Sequence, residues 1–234
     1  MRRIFIILVT AIIFQANAQS LSDVISEINK GNLESRKFSV NLSYKLYTGN
    51  NHKPIETKKG ILLVDNENSY SRVGELEMVN TRQFFAKINN NERAMLLTAP
   101  KKTQKTPFSI DLSNIKDQAD AILIDAKDDW KIVIKAQEFS QFPYEKIELY
   151  YNKKTFLLQK QVFYFLNQIE YNSQENRSEI KSRRLTIEYK HYKFSDVEFP
   201  ASIFRNTSYF TTSNNQLIAS GKYRGFEIID LRQK

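Results

Sequence analysis

The side chains of this chain that could do chemistry are few, and their spacing ties none of them together. His52 and His191 are its only histidines. They fall in different elements without HExxH spacing, so a two-histidine metal centre would need the fold to bring them together. The carboxylates Asp65 and Glu67, and Asp128 and Asp129, are close enough in sequence to pair for acid/base work. All four sit at strand or helix ends, however, where acidic residues are routine turn and cap formers. Six glycines leave no phosphate-cradling loop or dinucleotide fingerprint, and no GxSxG elbow occurs. The chain has no cysteine, which excludes disulfides, thiolate metal sites, a thiol nucleophile and a lipid attached through sulfur. The expectation is a protein that is not an enzyme, with no cofactor and no metal.

The N-terminus speaks to location. Arg2 and Arg3 precede an apolar run from Ile4 to Phe14, and Ala16-Asn17-Ala18 supplies small residues at −3 and −1, which reads as a secretory signal over residues 1–18 cut before Gln19. The run is shorter than the roughly 20 residues that span a bilayer. Residues 19–234 are therefore expected to form one exported domain with no transmembrane anchor. Absence of cysteine in a chain of this size points to the periplasm rather than to a disulfide-stapled secreted domain. The formal charge of +9 favours anionic envelope partners, and nucleic acid is the wrong partner for that compartment. Lys101, Lys102 and Lys105, and Lys181, Arg183 and Arg184, read as solvated loop clusters rather than sites.

Periodicity defines the elements. Leu21, Val24, Ile25 and Ile28 recur at helical spacing, with Ser20 or Ser22 as cap and Gly31 after the last turn, predicting a helix over Leu21–Lys30. Phe38, Val40, Leu42, Tyr44 and Leu46 then alternate with polar residues as a strand with one buried face. Strands follow over Gly60–Asp65, Tyr70–Val73, Arg82–Ile88 and Arg93–Thr98, the last two joined at Asn89-Asn90-Asn91. Leu112, Ile115, Ala119, Ile122 and Leu123 fit a helical stripe and predict a second helix over Leu112–Ala126. Alternation returns in Trp130, Ile132 and Ile134, then in Ile147, Leu149 and Tyr151, which a hairpin at Asn152-Lys153-Lys154 joins to Phe156–Leu166. Tyr171–Arg183 reads as an exposed loop. Further strands are expected over Leu185–Tyr189, Ser202–Asn206, Ser208–Thr212, Leu217–Gly221 and Tyr223–Ile229.

This is a mainly β (α+β) pattern of about ten strands and two helices in one domain. Phe84-Phe85, Phe163-Tyr164-Phe165 and Tyr209-Phe210 put rings on both faces of their strands. A sheet with one wet face does not need that, so the second face must meet a helix or a ligand. The expected architecture is a strongly curved antiparallel sheet or unclosed barrel with the helices on its concave side, leaving an apolar hollow. Its lining candidates are Phe38, Val40, Leu42, Tyr44, Leu46, Phe84, Trp130, Ile132, Leu149 and Phe163.

The succession Leu21-Ser22-Asp23-Val24-Ile25 into Phe38–Tyr47, then Gly60-Ile61-Leu62-Leu63, then Lys146–Tyr151 followed by Leu157–Tyr164, resembles the periplasmic lipoprotein-carrier (LolA/LolB-like) family. The resemblance rests on order of elements and spans roughly Leu21 to Leu231. It implies an open barrel with a helical lid whose hollow takes lipid or lipoprotein acyl chains without catalysis. The chain is thus expected to be a periplasmic binding or carrier protein for an amphipathic, lipid-like ligand. The alternative is a non-catalytic structural or assembly component of an envelope complex, its aromatic face covered by an envelope membrane protein.

Overall fold

The computed structural model describes residues 20–34, 37–49, 51–100, 110–113, 115–166, 168–172, 177–194, 197–214 and 216–232. The segment 1–18 expected to be a secretory signal and the Lys101–Lys105 cluster lie outside them. The chain opens with helix α1 (Leu21–Glu34), followed by β1 (Lys37–Thr48), β2 (Glu56–Asp65), β3 (Asn68–Val73), β4 (Leu76–Asn80), β5 (Phe85–Asn89) and β6 (Ala94–Thr98). Next come β7 (Ala119–Asp125), β8 (Asp129–Ala136), β9 (Tyr144–Asn152), β10 (Leu158–Phe165), β11 (Gln168–Asn172), β12 (Arg177–Lys181) and β13 (Arg183–Phe194). Two short 3-10 turns, Ala201–Phe204 and Asn206–Ser208, lead to β14 (Phe210–Ser213) and β15 (Gln216–Ala219). A third, Gly221–Tyr223, precedes β16 (Glu227–Asp230).

Twelve strands form one sheet in the order β16-β6-β5-β4-β3-β2-β1-β13-β10-β9-β8-β7. It is antiparallel throughout except where β16 joins β6 in parallel, and it is curved and not closed into a barrel. β11 with β12, and β14 with β15, make two separate hairpins.

The sheet changes its buried face at β2. Side chains directly opposite on neighbouring strands share a face. Phe38 and Val40 of β1 therefore align with Val64 and Leu62 of β2, and all four belong to or pack on a core that includes Val24 and Ile28 of α1. One residue along, Leu63 and Ile61 point the other way, toward Tyr70 and the second core. That core is covered by the C-terminal segment through Tyr209, Phe210, Ala219 and Tyr223. The unbroken apolar run Ile61–Val64 thus reflects a strand covered on both faces.

α1 begins as expected but runs further. Ser20 Oγ accepts from the Asp23 amide at 3.2 Å while the Asp23 carboxylate accepts from the Ser20 amide at 3.2 Å, a reciprocal cap. Gly31 does not end the helix, which continues to Glu34. A side chain at Gly31 would meet Phe156 at an ordinary 3.6 Å, so the helix is supported there by the β9–β10 turn.

The second helix expected over Leu112–Ala126 is not formed. One helical turn survives, the Ala119 amide donating to the Ile115 carbonyl at 2.8 Å, and then β7 pairs with the edge of β8 from Ala119 to Asp125. Ile122-Leu123-Ile124 supplies β-branched residues at an open sheet edge, and the ladder there outweighs the helical stripe. Three strand expectations also change. β4 lies between Val73 and Phe85, where only a connection was expected. Ala201–Phe204 is a 3-10 turn rather than a strand. β11 and β12 form a hairpin in the stretch expected to be loop. At the β5–β6 turn the left-handed residue is Arg93 (φ 53°), not an asparagine. Asn89 instead caps the turn by accepting from the Asn91 amide at 3.1 Å.

Candidate functional site

The register across the half-sheet from β1 to β7 builds the site row by row. One row runs Leu46, Leu185, Phe163, Ile147, Ile134, Ala121, and the next runs Tyr44, Ile187, Gln161, Leu149, Ile132, Leu123. Twelve side chains from six strands thus share one face, and only Gln161 is polar among the aliphatic and aromatic members. Its carbonyl oxygen accepts from the Tyr189 hydroxyl at 2.6 Å, so the amide is held rather than left bare.

Cover over this face is uneven. Val24 and Ile28 of α1 are fully buried, as are Ile132 and Leu158. Toward the end of the sheet where β1 and β10 finish, Tyr44, Leu46, Leu185, Phe163, Phe165 and Tyr144 are only half-buried. The rings there touch: Tyr144 lies 5.2 Å from Phe163 and 5.6 Å from Phe165 between centroids. Beyond them the connecting segments at the same end carry exposed apolar residues, Ile55, Phe139 and Leu166, with Phe139 97% exposed in a left-handed conformation (φ 61°). The result is an apolar face, here termed the trough, that is packed against α1 in its buried part and half-exposed at one end.

Burial pushes the Tyr44 hydroxyl up from its usual range, keeping it a neutral donor at pH 7. No described residue accepts from it. Tyr192, stacked on Phe194 at 5.8 Å, donates to the Leu158 carbonyl at 2.6 Å.

The opposite face of the same strands is charged. Burial alone would push the Glu148 carboxyl up, but hydrogen bonds from Lys131, Tyr150 and Lys146 outweigh it and lower the carboxyl to about 2. Lys131 stands at 2.9 Å and Lys146 at 3.1 Å from it.

Of the ten lining candidates, nine lie on the trough face or pack in the core beneath it: Phe38, Val40, Leu42, Tyr44, Leu46, Trp130, Ile132, Leu149 and Phe163. Trp130 sits at the margin, half-buried with the Lys153 ammonium 4.8 Å over its ring. Phe84 stands apart. It lies in the second core, 5.2 Å from Phe210 and 5.9 Å from Tyr209, because β2 has reversed the buried face before the chain reaches it.

Sequence reasoning missed Glu77, a carboxylate only 1% exposed in the second core. It accepts from Tyr70 at 2.7 Å, Tyr223 at 2.9 Å, Asn90 at 2.9 Å and Lys222 at 3.0 Å. Burial opposes its ionisation, yet these donors leave its carboxyl below the usual range. A cavity of about 350 Å³ lies beside it under the C-terminal segment. The one available signal was an acidic residue flanked by the apolar residues Leu76 and Met78-Val79.

The carboxylates weighed as acid/base pairs are not brought together. Asp65 and Glu67 flank the β2–β3 turn, Glu67 bonding Arg82 at 2.6 Å, while Asp128 and Asp129 lie at the β7–β8 turn. His52 is an exposed turn residue. Among the described residues no group of three or more His, Asp or Glu could hold a metal, and no helix is long and apolar enough to cross a membrane.

The architecture is thus that of an open, curved antiparallel sheet with a helix on one face. Among solved structures the chain matches an uncharacterized conserved protein from Thermus thermophilus at a TM-score of 0.51 and 10% identity, over 91% of this chain and 99% of that one. It also matches a DUF1329 family protein from Desulfovibrio piger (TM-score 0.41, 11% identity, 80% and 96% covered). A LolA superfamily protein from Nitrosomonas europaea matches at a TM-score of 0.38 and 14% identity, with 80% and 98% covered. The first match establishes a shared fold. No protein-family model and no curated protein sequence matches the chain.

Proposed function

We propose that this protein is a periplasmic binding or carrier protein that holds the apolar chain of an amphipathic, lipid-like ligand in the trough between α1 and the β1–β7 half-sheet. What carries the reading is the two-row apolar face that loses its cover toward one end, where Tyr44, Leu46, Phe163 and Phe165 remain half-exposed. A monomeric soluble domain rarely leaves a contiguous apolar surface of this kind open without a use for it. The Tyr44 hydroxyl is a neutral donor within that surface, suited to an ester carbonyl at the ligand's polar end. Export through the residue 1–18 signal belongs to the same reading, and the mature chain should begin at Gln19.

The test is extraction of mature protein purified from periplasm, followed by mass spectrometry of the organic phase. Stoichiometric lipid or fatty acid is the expected result. A clean extract, together with no binding of a fluorescent fatty acid by the delipidated protein, would overturn the proposal. N-terminal sequencing of the same material should read Gln19, and an intact Met1 would remove the export reading.

A further inference from the structure

A second site lies on the other face of the sheet. There β2, β1 and β13 form a half-open cavity of about 400 Å³ lined by the polar residues Asn41, Ser43, Lys59, Glu188, Lys190 and His191, together with Leu42 and Gly60. The register explains the grouping. Ser43 stands opposite Lys59 on one side and Glu188 on the other, and one row along Asn41 stands opposite Lys190. Three strands at about 4.8 Å spacing make that row roughly 10 Å wide.

His191 joins the cavity through an irregularity. Between Asn41 and Ser39 the partner strand advances from Lys190 to Lys193, so β13 carries one extra residue, and His191 adopts φ 57° within it. A histidine in the left-handed region at a bulge is uncommon, and bulges re-aim side chains. Here the bulge puts an exposed imidazole on the cavity wall.

Four of the five side-chain donors in this cavity are unspent. Glu188 is engaged by Lys45 at 2.6 Å and by Lys190 at 2.7 Å. Lys59, His191, Asn41 and Ser43 make no side-chain bond to another described residue. One free ammonium, one imidazole, one amide and one hydroxyl therefore face a common space from three strands. A planar carboxylate is filled by a single two-pronged donor, whereas a tetrahedral anion accepts from several directions. Glu188 stands at one side as an acceptor for a neutral hydroxyl and disfavours a dense polyanion.

We propose that this cavity binds a phosphate ester carrying a hydroxylated alcohol, a glycerol phosphate in its simplest form, with Lys59 against the phosphate and His191, Asn41 and Ser43 as hydrogen-bond donors. The group is supplied either by a soluble ester or by a phospholipid headgroup. Its polar groups, Asn41, Ser43, Lys59, Glu188, Lys190 and His191, are not among the side chains of the apolar trough, and Leu42 lines its floor while packing in the first core.

The experiment measures two bindings on the mature protein. One is calorimetric titration with glycerol 3-phosphate. The other is co-sedimentation with vesicles of phosphatidylcholine alone or mixed with phosphatidylglycerol. Lys59→Gln should weaken the binding by about tenfold or more, as loss of a charge-assisted bond does, while Lys135→Gln, an exposed lysine on the same face outside the cavity, should change it less than about twofold. His191→Gly removes the ring and gives the left-handed position a residue suited to it, so its urea midpoint should not fall while binding does. Binding of the soluble ester without vesicles identifies a soluble phosphate ester, and cavity-dependent binding to phosphatidylglycerol vesicles identifies a headgroup. Absence of both bindings, or equal losses in Lys59→Gln and Lys135→Gln, overturns the proposal.

Discussion

The half-sheet from β1 to β7 and the half-sheet from β2 to β6 bury opposite faces of one continuous structure, and they close them differently. The first is covered by α1, which the chain makes before any strand, and its apolar rows stay half-exposed at one end. The second is covered by the last segment of the chain, Ile203 to Phe226, and includes a buried carboxylate. Phe84 packs edge-on to Phe210, and Tyr209 stacks on Tyr223 at 5.4 Å. Glu77 ties strand β4 to Tyr223 and Lys222 across it. The second core has its buried carboxylate satisfied beside a cavity of about 350 Å³, whereas the apolar rows of the first are left half-exposed at one end. Under the proposed function, the lipid-like chain is held by the first half, and the second half serves to keep the fold closed.

The largest expected effect tests the assignment of faces. Leu42 is 5% exposed in the first core, so Leu42→Glu should cost about 4 kcal/mol through an unpaired buried charge. Ser43→Ala, on the opposite face, should cost less than about 0.5 kcal/mol. A wild-type urea midpoint for Leu42→Glu would break the comparison outright.

Acid should act next. Glu148 titrates at about 2 in the folded protein against an ordinary 4.5, so its contribution is present above pH 4.5 and is lost as pH falls from there toward 2. The loss should amount to about 3 kcal/mol. Glu77 is shifted in the same direction. Glu148→Gln should flatten the pH dependence of the urea midpoint in that window. An unchanged slope would show that the lysine network does not hold that carboxyl down.

Glu77→Gln should cost about 2 kcal/mol by weakening the bonds from Tyr70, Tyr223 and Lys222. Its effect should be local. Hydrogen exchange should speed up in β14, β15 and β16 while α1 keeps wild-type protection, and uniform acceleration would mean that the two halves unfold as one unit. Among the changes on the trough face, the smaller stability cost belongs to Phe163→Ser at the open end, about 1 kcal/mol because the ring is only half-buried. Its effect on retained lipid should be larger, and full lipid retention in a folded Phe163→Ser protein would move the binding site away from that end.

How much of this could be read from residues alone varied with the distance of the interaction. The strand from Phe38 to Leu46 was legible because alternation is a property of neighbours, and the face it presents follows from that period. The hairpin at Asn152 was legible for the same reason, the Asn152 side chain accepting from the Lys154 and Thr155 amides at 3.0 Å. Leu112–Ala126 misled because its apolar spacing fits both a helix and, from Ala119 onward, a strand. The open edge of β8 settled the choice. Phe84 misled because its face depends on the reversal at β2, which involves a cover made by the far C-terminal segment around Tyr209 and Phe210.

Local sequence by itself determined that this chain alternates into many short strands after one capped helix, that it lacks thiol chemistry, and that its rings are too many for one wet face. Those properties depend on composition and on spacing within a few residues. Tertiary structure alone decided which face each half buries, that His191 is turned into a cavity by one extra residue in β13, and that Glu77 is satisfied by Tyr70, Asn90, Lys222 and Tyr223. Each of these depends on residues far apart in sequence whose register is set only when the sheet assembles.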